Sequence, residues 1–166
     1  MSLRPLVAVL ALLIVPNFAF GQGAQVAFGG LKHDSSQPGE ISADSLAVDQ
    51  AKGTAEFKGS VVAGQAALRL TADRVLVEYA TEGEKVTGEI SKLSAYGNVT
   101  LVNGAEAAEG QEAIYTLEDG KVRMSGDVLL TQGQNAISGE VLNIDLNTGT
   151  ALFEGRVRTI FQSSDN

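Results

Sequence analysis

The chain has 166 residues, a formal net charge of −8 and no cysteine. An acidic balance excludes nucleic-acid binding by phosphate neutralisation, which needs a basic face. The missing cysteines exclude a disulfide framework and any thiolate metal site.

The N-terminus has the three parts of a secretory signal peptide. Arg4 gives a short basic region, Leu6 to Val15 is an unbroken apolar run, and Ala19-Phe20-Gly21 places small residues at the cleavage positions. The run is half the roughly 20 residues that a membrane-spanning helix needs. The expectation is a cleavable signal over 1–21 and an exported remainder. Residues 22–40 read as a flexible polar leader that contains His33, the only histidine. A globular domain is expected over 41–162, followed by a polar tail over 163–166.

Within that domain the sequence repeats itself. Segments beginning at Gly53, Gly120 and Gly149 read GTAEFKGSV, GKVRMSGDV and GTALFEGRV, and a fourth, SKLSAYGNV, begins at Ser91. Their second glycines are Gly59, Gly97, Gly126 and Gly155. Thirteen residues after the first three of these come Ala72, Gly110 and Gly139, each followed by a polar residue: Asp73, Gln111 and Glu140. Ala43-Asp44 precedes the series by one period. The period is 29 residues, with one insertion of nine near Ala80–Gly88, which reads as a longer hairpin loop.

Side-chain character follows the same period. Ile41, Ala43, Leu46 and Val48 correspond to Leu70, Ala72, Val75 and Val77, then to Ala108, Gly110, Ala113 and Tyr115, then to Ile137, Gly139, Leu142 and Ile144. The apolar spacing is two, three, two. A strand alternates faces at every residue, so the step of three marks a bend or bulge at the small residue. Turns fall at Glu118-Asp119-Gly120 and Asn147-Thr148-Gly149. The pattern predicts an all-β fold, a curved antiparallel β-jellyroll (double sheet) of strand–turn–strand units about 29 residues long. A parallel β-helix is the alternative, disfavoured by the short glycine-containing turns.

Catalytic chemistry is missing from the pattern. A triad needs its histidine held rigidly by a carboxylate, and the leader, read as flexible, is a poor place for His33 to be so held. Asp44, Asp73 and Glu140 recur at corners without the dense spacing of a calcium loop. No phosphate-binding glycine loop occurs. The expectation is a protein that is not an enzyme and uses no cofactor and no metal. The apolar rows suit either an ordinary core or a lipid-binding interior.

The stretches ISADSLAVD (41–49), GTAEFKGSVVAGQAALRLTADRVLVEY (53–79), AYGNVTLV (95–102), GDVLLTQGQNAISGEVLNIDLNTG (126–149) and FEGRV (153–157) resemble the OstA-like family of lipopolysaccharide-transport proteins. The likeness is greatest to the family's free-standing periplasmic bridge members. It implies a non-catalytic β-jellyroll in the periplasm of a Gram-negative bacterium, serving outer-membrane assembly. The acyl chains of lipopolysaccharide (lipid A) would lie between the sheets. The implied lipid-facing residues are Ile41, Leu101, Tyr115 and Leu117, with Phe57, Val61, Leu70, Val77, Val128, Leu142, Ile144 and Phe153 on the same predicted face. The implied partners are LptC-like inner-membrane and LptD-like outer-membrane components, joined by edge-strand addition, with head-to-tail self-association. The edge positions are Ile41, Ala43, Leu46 and Val48 at one end and Val157, Thr159 and Phe161 at the other. Gly39 departs from the family, which usually has an apolar residue there, so the first strand is expected to start later or pair more weakly. An anchored LptC-like relative and a structural or sugar-binding periplasmic β-protein are the alternatives; few aromatics argue against the last.

Overall fold

The computed structural model describes residues 24–27, 39–83 and 85–161. The expected signal peptide, His33 and the C-terminal tail lie outside these residues. Among the described residues there is no helix. The strands are β1 (Ala24–Ala27), β2 (Gly39–Ser42), β3 (Ser45–Asp49), β4 (Thr54–Gln65), β5 (Leu68–Glu82), β6 (Lys85–Asn103), β7 (Glu106–Thr116), β8 (Lys121–Gln132), β9 (Asn135–Asp145), β10 (Thr150–Glu154) and β11 (Arg158–Ile160).

They form one antiparallel sheet in the order β1-β10-β9-β8-β7-β6-β5-β4-β2, with β3 also on β4 and β11 also on β9. From β4 to β10, neighbours in sequence are neighbours in the sheet, which short hairpin turns dictate. The meander folds on itself into two layers. The fold line runs through register shifts at Lys58/Val61, Thr71/Arg74, Tyr96/Val99, Glu109/Glu112 and Ser125/Val128. These are the places where the apolar spacing steps by three. The step lets residues on both sides of the bend face one interior.

The mid-strand glycines make the bend. Gly126 has φ +88° and Asp127, after it, φ +50°; Gly155 and Arg156 repeat this with +75° and +39°. A side chain at Gly126 would put its Cβ 2.7 Å from the Gln111 Cβ, and one at Gly155 would lie 2.7 Å from the Glu140 Cβ. The small-polar pair of one strand therefore sits against the glycine of the next, so both motifs recur in phase. The polar partners are used locally. Asn98 Nδ2 donates to Asp73 Oδ2 at 2.8 Å, and Arg156 Nε donates to Glu140 Oε1 at 2.9 Å.

Three readings of the sequence change. Residues 80–82 and 85–88 are strand and not plain loop: β5 and β6 stay paired through Tyr79↔Ile90, Thr81↔Val86 and Glu82↔Lys85, so the insertion lengthens a hairpin. The leader 22–40 contains strand structure, because Ala24–Ala27 pairs with β10 and β2 already begins at Gly39, opposite Gln65. The absence of an apolar side chain at 39 does not delay β2, because the pairing is made by backbone.

Candidate functional site

Cross-strand registers sort the interior into rows. In one layer, Val48, Ala55, Val77, Leu93, Tyr115, Val122, Ile144 and Ala151 stand side by side. Beside them run Leu46, Phe57, Val75, Ala95, Ala113, Met124, Leu142 and Phe153. Across the fold line, the other layer contributes Ile41, Ala63, Leu70, Leu101, Ala108, Leu130 and Ile137.

The two ends of these rows pack differently. Toward β8–β10 the side chains are large and meet across the layers, and Met124, Val128, Leu142 and Phe153 have 0% exposure. Toward β4–β7 the rows contain Ala63, Ala95 and Ala113, too short to meet across the interior. A slot of about 240 Å³ remains there, its walls mostly apolar: Ala63, Leu70, Ala95, Leu101 and Ala113 from both layers, together with Ile90 and Leu117. Tyr115 is half-buried in this lining, and burial pushes its phenol up from the usual value.

Of the residues expected to face lipid, Ile41, Leu70, Leu101, Tyr115 and Leu117 line the slot. Val128, Leu142, Ile144 and Phe153 are on the same interior face but lie in its packed part, and Val61 and Val77, on β4 and β5, are buried outside the slot lining. Phe57 is partly buried and packs against that core. Val75, Leu93, Ala95 and Ala113 also line the slot. Their signal was in the repeat: the position held by Val75 and Leu142 in two copies is Ala113 in the copy between.

The edges bear on how the interior ends. β2 and β3 pair only with β4, leaving their outer backbone unpaired within the described residues. Ile41 lies in β2, Ala43 at the break before β3, and Leu46 and Val48 in β3, where they are 55% and 61% exposed. At the far end, Thr159 pairs with Ile137, Val157 is partly buried, and Ile160 and Phe161 are 65% and 75% exposed. The outer side of β10, in the opposite layer, carries β1.

Among the described residues no cluster of three or more metal-ligating side chains occurs, and no helix is long and apolar enough to cross a membrane. What the site offers is shape and apolarity.

Comparison with known proteins places this geometry. Residues 40–150 match the family described as LptA/(LptD N-terminal domain) LPS transport protein. An uncharacterised protein of Rhizobium meliloti (strain 1021) is 30% identical over 159 residues, covering 92% of this chain and 86% of that protein. Among solved structures, LptH of Pseudomonas aeruginosa, the LptA-homologous periplasmic component of the lipopolysaccharide transport device, superposes with a TM-score of 0.68. That match has 20% identity and covers 78% of this chain and 99% of the other, so it supports the β-jellyroll fold. By its sequence match and its folded double layer, this chain belongs to the LptA/LptD N-terminal-domain family of lipopolysaccharide-transport proteins, a family of carriers and not of enzymes.

Proposed function

We propose that this protein is an exported, periplasmic lipid-binding bridge that passes lipopolysaccharide from the inner toward the outer membrane, with acyl chains held in the slot between the layers. The observation that carries the reading is the slot itself: about 240 Å³ of mostly apolar space left by Ala63, Ala95 and Ala113 in an otherwise packed interior.

The energetics favour a covered path. Burying a methylene contributes about 0.8 kcal/mol. A chain of about a dozen carbons therefore gains on the order of 10 kcal/mol, and several chains together would exceed the practical ceiling near −20 kcal/mol. Release into water at every transfer would be far too slow. Interiors joined end to end keep the lipid covered as it moves. The unpaired edges of β2 and β3, and the exposed apolar residues at both ends, suit strand addition between copies and to LptC-like and LptD-like partners. The directional energy comes from outside this chain, whose sequence has no nucleotide-binding loop.

A photo-crosslinking residue at Leu117 or Tyr115 tests the slot, with Leu142 as the packed control. Lipid adducts are expected at the first two and not at the third. No adduct at either slot position, with adducts only on outward positions, ends the reading. Proline introduced at Ala47 in β3, or within 156–161, is expected to abolish head-to-tail assembly in sedimentation experiments. Unchanged assembly by both variants rules out strand addition.

A further inference from the structure

One interior row is polar except at Leu68. Gln65, Leu68, Asn103, Glu106, Gln132 and Asn135 are successive cross-strand neighbours at the hairpin ends of β4 through β9. Each lies two residues beyond an apolar interior position, so alternation turns it to the same face. Gln65 and Leu68 line the slot. Ile90 and Leu117 are among the apolar residues of the same lining.

Glu106 stands out in this row. It is 8% exposed, and its Oε1 accepts a hydrogen bond from Gln132 Nε2. Its other oxygen, Oε2, is buried without a partner, alone in that respect among the described residues. Burying half a carboxylate unpaired lowers stability, and a purely structural role would be served better by an apolar residue. An ionised carboxylate has only acceptors to offer. What completes it is a hydrogen-bond donor, and what it repels is another anion.

We propose that this row is a headgroup subsite and that Glu106 sets its preference: a donor-bearing headgroup (hydroxyl, amide N–H or ammonium) on a lipid whose acyl chain fills the slot, in preference to a phosphate at the same place. Glu106 lies outside the slot lining, two strand spacings of about 4.8 Å from Leu68, so a headgroup about the length of a disaccharide, emerging beside Leu68, spans the distance. This inference rests on the slot holding an acyl chain.

The test uses three amphiphiles of one chain length, dodecyl maltoside, dodecylammonium and dodecyl phosphate, each below its micelle concentration, titrated into the exported protein. Salt near 0.5 M shortens the screening length to a few ångströms, which removes the general effect of the −8 charge. The maltoside and the ammonium are expected to bind about tenfold tighter than the phosphate, the scale of one charge-assisted hydrogen bond. Glu106→Gln, which keeps shape and removes charge, is expected to bring the three within about threefold. Glu109→Gln, an exposed carboxylate on the outer face of the same strand, leaves the ratio as it was. Phosphate binding as tightly as the others in the unaltered protein overturns the subsite, and needs no variant to fold. So does a ratio that survives Glu106→Gln. Failure of all three amphiphiles to bind refutes the slot itself, a different result from binding without discrimination.

Discussion

Leucine truncation at the two ends of the interior separates a slot from a core. Leu142 is fully buried, between Met124 and Phe153 in its row. Leu101 is nearly as buried, at 5% exposure, but lines the slot. Leu→Ala removes three carbons at each site, a transfer loss of about 2.4 kcal/mol. At Leu142 the packed neighbours cannot collapse, and the new cavity adds its own cost, giving about 4 kcal/mol in all. At Leu101 the removed atoms only enlarge existing space, and the cost stays near 2 kcal/mol. With a urea m-value near 2 kcal/mol/M, the midpoints of the two variants should differ by about 1 M. Equilibrium urea unfolding of the protein stripped of lipid measures this directly. Equal losses, or a greater loss at Leu101, would mean that the slot is closed in solution and that the packing argument is wrong.

Further outcomes follow from other sites. Gly126→Ala places a Cβ 2.7 Å from that of Gln111 on a backbone with φ +88°, and should cost about 2–3 kcal/mol; Gln111→Gly in the same chain should recover part of it, which a double-mutant cycle in urea reads out. Burial raises the Tyr115 phenol, so its contribution to stability is complete below the unfolded tyrosine value near 10 and is lost as pH rises through the folded value. Tyr115→Phe should flatten that alkaline loss and remove a late component from the ultraviolet phenolate titration. Filling the slot by Ala113→Leu should abolish the thermal stabilisation given by a bound amphiphile while leaving the melting curve of the lipid-free protein cooperative.

Much of the fold was legible because its cause is local and repeated. A glycine in the left-handed region, a small-polar pair on the next strand, and an apolar step of three are each visible in one copy, and four copies remove the ambiguity. The slot was less legible. Whether Ala113 leaves space depends on Ala63 in the opposite layer and on Ala95 in the adjoining strand, and no pattern within one strand reports that sum. Leu142 and Leu101 therefore look alike in sequence and separate only in three dimensions. The pairing of Ala24–Ala27 with β10 was hidden for a related reason: four residues carry too little period to mark a strand, and their partner is more than 120 residues away. Glu106 beside a Gly-Ala hairpin turn reads as ordinary turn polarity until its burial is seen.

The unequal packing of the two ends has a physical consequence for any carrier of this design. A chain without disulfides or metal clusters among its described residues must hold its shape by strand pairing and apolar burial. Space left open for a ligand gives up the dispersion contacts that would otherwise line it. A double layer left empty along its whole length would lose those contacts in every strand. Here the loss lies mainly between β2 and β7, with Val122 of β8 at its edge, while Met124, Leu130, Leu142 and Phe153 are fully or almost fully buried toward β10. The continuous hydrogen-bonded meander ties the two parts together, so the packed block holds the layers of the open part at a fixed separation. The slot can then stay open without ligand, and an acyl chain bound there as proposed would gain its burial energy without first having to order the walls.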